Sequence, residues 1–287
     1  MRGGNGMMNM SRVKKLYGLL LVFLWLIIMA GCAAGTASHR PAAVPELRPG
    51  ILKGYLEMKT IVSSSAVLVP APPAAGSAAL ALDEEYSKRC LALHDTPRWK
   101  QAAIDAELKF PEAADTFSCA LGVPITEKET PYLYMLLHRT LTDAGLSTYG
   151  AKRKYKRQRP FMLNNQPMCT PQEKAKLEQD GSYPSGHTAI GWAWALILAE
   201  IAPEQANAIL ARGLAFGESR NVCNVHWHSD VIQGRVMGAA TVARLHADPA
   251  FCSDLAFAKA EVAALRAKGA KPAADCAAEA AAMAIQP

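Results

Sequence analysis

The sequence lacks most of the short motifs that mark the common nucleotide-binding and hydrolase classes. It carries no GxxxxGKS/T loop, no GxGxxG turn and no GxSxG elbow. These absences exclude P-loop, dinucleotide and α/β-hydrolase chemistry, and they leave Ser185 a poor serine nucleophile. The seven cysteines form no CxxC pair and no zinc-like spacing, which sets aside redox and structural-zinc roles. There is no internal repeat and no strand-rich stretch. A set of membrane spans is missing too, because the apolar run within 187–201 stands alone and is interrupted by Glu200. Charge of one sign is also scarce. The formal net charge is +6, but Arg2, Arg12, Lys14 and Lys15 lie in the first 31 residues, which hold no acid. Losing those four charges leaves about +2, so a generally basic nucleic-acid binder is excluded and any positive field must be local.

What is present begins with that N-terminus. Its basic residues precede an apolar run from Leu16 to Ala30, the layout of a secretory signal over residues 1–31. The run is too short and too abruptly ended for a membrane span. It stops at Met29-Ala30-Gly31-Cys32, which resembles a bacterial lipobox in which Cys32 becomes the lipid-carrying first residue. Ordinary cleavage within 33–37 is the alternative. Ala33, not Asp, follows Cys32, which favours the outer membrane. An exported, periplasmic protein is expected, attached to a membrane only through lipidated Cys32. Beyond it remain Cys90, Cys119, Cys169, Cys223, Cys252 and Cys276, an even count that suits up to three disulfides with fifteen pairings open.

Residues 33–80 are rich in Pro, Ala, Ser and Gly and include PAPPAAGSAA at 70–79. They read as a tether and an irregular segment with little regular structure. From Asp83 the helical period dominates and predicts helices near 83–93, 97–109, 128–146, 187–201, 203–217, 228–246 and 253–268. The expectation is one all-α domain over 81–268, followed by an Ala-rich tail, 269–287, that is loose except where Cys276 pins it. The Trp and Leu stripe of 190–198 is core packing.

Three segments carry chemistry that a helical core does not need. In AKRKYKRQRPF, six of the eight residues from Lys152 to Arg159 are basic. Solvation or a polybasic patch explains the charge but not the ending Arg159-Pro160-Phe161, where a fixed backbone and an apolar anchor hold the guanidinium in place. In GSYPSGHTAIGWAWAL, from Gly181, a turn of Pro184-Ser185-Gly186-His187 opens an apolar helix. The N–H groups of Ser185, Gly186 and His187 would favour an anion there, although Ser182 or Ser185 could act as a plain cap. His187 would stand at the rim as a proton donor. In GESRNVCNVHWHSDVIQGR, residues 217–235, Arg220 can fork onto a phosphate, and His226 and Asp230 are four apart and share a face on a helical start. The carboxylate would fix the tautomer and leave the other ring nitrogen as nucleophile or base. His226-Trp227-His228 reads poorly as a metal site, since alternating histidines need a strand, and His228 is peripheral. Cations, N–H donors and two histidines together fit phosphoryl transfer.

Lys152-x6-Arg159-Pro160, Pro184-Ser185-Gly186-His187 and Ser219-Arg220-x5-His226-x3-Asp230 resemble the tripartite signature of bacterial class A non-specific acid phosphatases. That family sits in a superfamily with type-2 phosphatidate phosphatases and vanadium haloperoxidases. The flanking text, GYLEMKTIVSSSAVLVPAPP near 54–73 and RTLTDAG at 139–145, extends the similarity over roughly 50–265. The resemblance implies an all-helical fold around a phosphate site, a metal-independent phosphomonoesterase with no cofactor, small phosphomonoester substrates and self-association. It implies that Lys152, Arg159 and Arg220 hold the phosphate oxygens, with Ser185 and Gly186 adding hydrogen bonds. His226 attacks phosphorus, oriented by Asp230, and His187 protonates the leaving group and then activates water. Asn224 stands where relatives commonly carry glycine, and Asn tolerates a left-handed backbone. Cys169 and Cys223, each close to a motif, are expected to pair. The rival readings are a vanadium-dependent peroxidase, an integral-membrane lipid phosphatase and a non-catalytic phosphate-binding lipoprotein. The last needs neither an acid nor a nucleophile.

Overall fold

Periodicity predicts seven long helices, and the computed structural model, which describes residues 41–287, builds all seven with shifted ends. The signal segment and Cys32 lie outside the described residues. A two-residue strand, β2 (Ile51–Leu52), folds back on β1 (Glu46–Arg48). Two short helices follow, α1 (Met58–Ser63) and α2 (Ser65–Leu68). The long elements come next: α3 (Ala78–Leu91), α4 (Pro97–Ile104) and, after the one-turn α5 (Ser118–Leu121), α6 (Pro131–Ser147). Short helices α7 (Tyr149–Tyr155), α8 (Pro160–Asn164) and α9 (Lys174–Glu178) carry the chain to the central pair. That pair is α10 (Gly186–Ile201) and α11 (Ala206–Val222). The fold closes with α12 (His228–Leu245), α13 (Pro249–Ala267) and α14 (Cys276–Met283). Among the described residues no helix is long and apolar enough to cross a membrane.

Helix α10 is the centre of the packing because its sequence is apolar on nearly every face. Ala189, Ile190, Ala193, Trp194, Ile197 and Leu198 are all buried, packed against α6, α11 and α12. The Trp and Leu stripe is therefore core, as its spacing predicts. Buried Trp194 donates its indole N–H to the Leu137 carbonyl on α6 at 3.0 Å, which leaves no unpaired polar atom on that ring. Glycine lets α10 and α11 touch. A Cβ on Gly191 would lie 2.1 Å from the Phe216 ring, and one on Gly213 would lie 2.4 Å from the Ala195 methyl.

Two expectations are corrected. The segment before residue 81 is not simply irregular: it holds the hairpin, α1, α2 and the start of α3, which Ser77 caps by accepting from the Leu80 N–H. Its order comes from a distant partner rather than from local periodicity. Asp143 on α6 accepts the Tyr55 and Leu56 N–H groups at 2.8 and 3.0 Å, and burial pushes this carboxyl up to about 6. The tail is pinned at Cys276 as expected, but it is not otherwise loose. Asp275 caps α14, Cys276 is bonded to Cys119, and Glu279 pairs with buried Arg212 at 3.3 Å. A crosslink closing so long a loop stabilises by roughly 2–5 kcal/mol. Cys169 and Cys223 form the second disulfide. Among the described residues a third does not form: Cys252 is exposed, and Cys90 is buried in an apolar cluster with Leu93 and Trp99.

Candidate active site

The three motifs converge through hydrogen bonds between them. Lys152 Nζ donates to the Gly181 carbonyl. Ser185 N–H donates to the Asp230 carbonyl at 3.0 Å, and Arg159 Nη1 approaches His226 Nε2 at 3.1 Å. The contact at Gly181 is too close for a side chain, since a Cβ there would lie 2.7 Å from the Lys152 carbonyl oxygen. A simple helix cap would not need the other two segments beside it.

His226 sits in the turn between α11 and α12, held by its backbone. Its N–H donates to the Arg220 carbonyl at 3.2 Å, and Asn221 Nδ2 donates to its carbonyl at 2.9 Å. The turn needs a left-handed residue at Asn224, whose φ is +60°. The Asn side chain does more than tolerate that geometry, for it donates to the carbonyls of Gln166 and Pro167. His226 Nδ1 lies 3.2 Å from Asp230 Oδ2. A carboxylate accepts, so Nδ1 carries the proton and Nε2 keeps its lone pair, into which Arg159 donates. Burial, with Arg159, Lys152 and Arg220 nearby, drives the His226 pKa well below its ordinary value, so the ring is neutral.

Asp230, fully buried, is itself gripped by a residue that motif reasoning missed. Arg157 Nη1 donates to Asp230 Oδ1 at 2.7 Å and to Ser229 Oγ at 2.7 Å, while Nη2 donates to Asp83 Oδ2 at 2.7 Å. The Trp227 N–H adds a bond to Asp230 at 2.9 Å. Burial pushes the Asp230 carboxyl up, and Arg157 and this N–H oppose the shift. Replacing Arg157 with Ala is expected to lower kcat roughly 10- to 100-fold with KM little changed, the usual loss when an outer partner of a reactive residue goes. Arg157→Lys should recover part of that. Steady-state kinetics check it, and an effect on KM alone would sink the assignment.

The cations are buried as well. Lys152 is 5 % exposed, Arg159 2 % and Arg220 0 %. Burial and Arg159 push Lys152 down to about 8. Burial lowers Arg220 to about 10, with Arg159 adding to the shift and Glu173 opposing it. Arg159 is held from all sides, giving Nε to the Leu177 and Asp180 carbonyls and Nη1 to the Val225 carbonyl at 2.9 Å. Phe161, two residues on, is buried in an apolar cluster with Leu177 and Val225, the anchor that the Arg-Pro-Phe ending predicts. Arg220 differs: its Nε and Nη1 are buried without any partner.

The turn before α10 departs from expectation in one respect. Ser185 does cap the helix, its Oγ accepting from the Thr188 N–H at 3.2 Å and from Thr188 Oγ1 at 2.9 Å. Its own N–H is engaged by Asp230, so it is not a donor for an anion. The Ser185 hydroxyl proton remains to be donated. Gly186 faces Lys152, whose Cε would lie 4.0 Å from a Cβ placed there. Half-buried His187 lies 3.0 Å from the Ala106 carbonyl through Nε2. A carbonyl only accepts, so Nε2 carries a proton and Nδ1 is the atom left for chemistry. Burial and Arg220 drive the His187 pKa well below its ordinary value. The His228 ring lies tilted against that of Tyr86, with the centroids 4.3 Å apart. Among the described residues no group of three or more His, Cys, Asp or Glu side chains is placed to hold a metal ion.

This geometry has counterparts. The profile of the PAP2 superfamily matches residues 130–252, which span all three motifs. A non-specific acid phosphatase of Providencia stuartii is 45 % identical over 213 residues, 74 % of this chain and 86 % of that protein. The chain belongs to the non-specific acid phosphatases of the PAP2 superfamily. A non-specific acid phosphatase of Salmonella typhimurium is 42 % identical over 69 % of this chain and 80 % of its own length. An acid phosphatase of Zymomonas mobilis is 40 % identical over 67 % and 72 %. In this acid phosphatase, motif reasoning passed over Asn221, Arg157, Asp83 and Asp180. Arg157 was hidden in a run of six basic residues, where composition cannot separate the one that grips a buried carboxylate from those in water.

Proposed function

We propose that this acid phosphatase hydrolyses small phosphate monoesters in two displacements through a phosphohistidine at His226, with no metal. The observation that carries the reading is Arg220: a wholly buried guanidinium with two unpartnered nitrogens, Nε and Nη1, close enough to His187 and His226 to depress both. A buried charge without a partner is costly, and a phosphate oxygen is the partner this site lacks. Lys152, Arg159 and Arg220 supply the positive charge that metal ions supply in other phosphoryl-transfer sites.

In the first step the phosphate draws Arg159 Nη1 away from His226 and frees the Nε2 lone pair to attack phosphorus. The P–N bond forms as the P–O bond to the leaving group breaks. His187, protonated on both nitrogens, passes its Nδ1 proton to the departing oxygen. Neutral His187 then takes a proton from water through Nδ1, the hydroxide attacks phosphorus, the P–N bond breaks and inorganic phosphate leaves. One histidine serves both steps because its Nε2–H stays on Ala106 throughout.

Turnover of p-nitrophenyl phosphate in excess EDTA tests the metal-free claim. Unchanged rates are expected, and loss of activity restored by a divalent ion would overturn it. An exported, periplasmic location with a lipidated Cys32 belongs to the same proposal. The two disulfides support export, because such bonds persist in oxidising compartments. Labelled palmitate should enter the full chain and not Cys32→Ala; label retained in that variant would remove the lipid anchor.

A further inference from the structure

One carboxylate sits inside the cation cluster and has no place in the two-step reaction. Asp180 Oδ2 accepts from Lys152 Nζ at 3.1 Å and from Arg159 Nη2 at 3.2 Å. A single oxygen thus bridges two of the three groups assigned to the phosphate. Unlike its neighbours, the Asp180 side chain is 36 % exposed, so it has a way out into solvent. Its main chain does not. Arg159 Nε holds the Leu177 and Asp180 carbonyls, Lys152 holds the Gly181 carbonyl, and the Ser182 N–H donates to the Arg157 carbonyl at 2.9 Å. The side chain can therefore rotate away while the loop that frames the site stays in place.

We propose that Asp180 is an internal competitor for phosphate: its carboxylate neutralises Lys152 and Arg159 in the free enzyme, is displaced by substrate, and returns to help expel the product. This rests on the phosphate-binding reading of the same cations. A phosphate brought onto Lys152 and Arg159 meets the negative charge already between them, and two like charges do not share one pair of cations without loss. The carboxylate keeps two buried cations paired when no substrate is present. It also weakens the hold on inorganic phosphate, the product of the hydrolysis.

The test is phosphate affinity, read by calorimetry with inorganic phosphate alone and hence independent of turnover, together with KM and product inhibition. Asp180→Asn keeps an oxygen that can accept from both cations but removes the charge, and Asp180→Ala removes both. In each variant the Kd for phosphate and the KM are expected to fall by roughly tenfold, the scale of one like-charge contact. Glu178→Gln is the control: it removes the same charge from an exposed residue paired with Lys174 and should leave Kd where it was. A Kd that is unchanged or raised in Asp180→Asn overturns the proposal and makes Asp180 a holder of the cations, not a rival for them. Absence of phosphate binding by the wild-type protein would instead overturn the phosphate site itself. A gain in affinity is a readout that a merely structural role would not give.

Discussion

His226→Ala should abolish turnover, with kcat on p-nitrophenyl phosphate expected to fall by roughly 10⁵ or more, as when the nucleophile of a covalent mechanism is removed. The size of the effect follows from geometry. The lone pair that the site aims beside Arg159 is His226 Nε2, its tautomer fixed by Asp230 at 3.2 Å and kept unprotonated by burial and the surrounding cations. No neighbour can substitute. Lys152 and Arg159 are protonated donors, the Ser185 oxygen already accepts two hydrogen bonds, and His187, tied through Nε2 to Ala106, carries on Nδ1 the proton meant for the leaving group. Binding should survive, because Arg159, relieved of its bond to the ring, still has its carbonyl partners. The expected pattern is a lost kcat with phosphate affinity kept. Acid-labile, base-stable radiolabel from labelled substrate should appear on the wild-type protein after rapid quenching and be absent from the variant. Residual turnover within a factor of a hundred of wild type, or label retained in the variant, would sink the nucleophile assignment.

How much of this was legible beforehand depended on the range of the interaction. The central helices were, because burial of α10 is written in its own apolar period, and so were the motifs, whose residue types are unusual enough to stand out. The bonds that cross between segments were not. Asp83 and Arg157 are 74 positions apart, and nothing local in either marks the pair. The segment around Tyr55 looked irregular because its backbone is ordered by Asp143, 88 residues away. At Ser185 the local reading of the cap was right, yet the N–H offered to an anion is occupied by Asp230, a partner seen only when the third motif is laid against the second. Pattern thus names the chemical groups, and only the packed chain decides which donors are free.

His187 is where that distinction has its largest consequence after the nucleophile. Its Nε2–H is fixed on a carbonyl, so a proton for the leaving group must come from Nδ1, and Nδ1 carries one only when the ring is charged. Burial and Arg220 oppose that charge in the free enzyme. A bound phosphate reverses part of the cause by neutralising Arg220. The sign follows: the competent acid form is gained as pH falls and lost as pH rises. His187→Ala is therefore expected to cut kcat/KM for alkyl phosphates by roughly 10³ and for p-nitrophenyl phosphate by no more than about tenfold, because nitrophenolate leaves without a proton. The second step needs the same residue as base whatever the substrate was. The variant should thus accumulate phosphoenzyme, seen as a burst of p-nitrophenol followed by a slow and substrate-independent steady rate. The decline of kcat/KM for alkyl phosphates with rising pH should flatten in the variant, since the group that titrates is gone. Equal losses of kcat/KM on both substrate classes would show that His187 only binds. Unequal losses without a burst would confine it to the acid step and require another base for water.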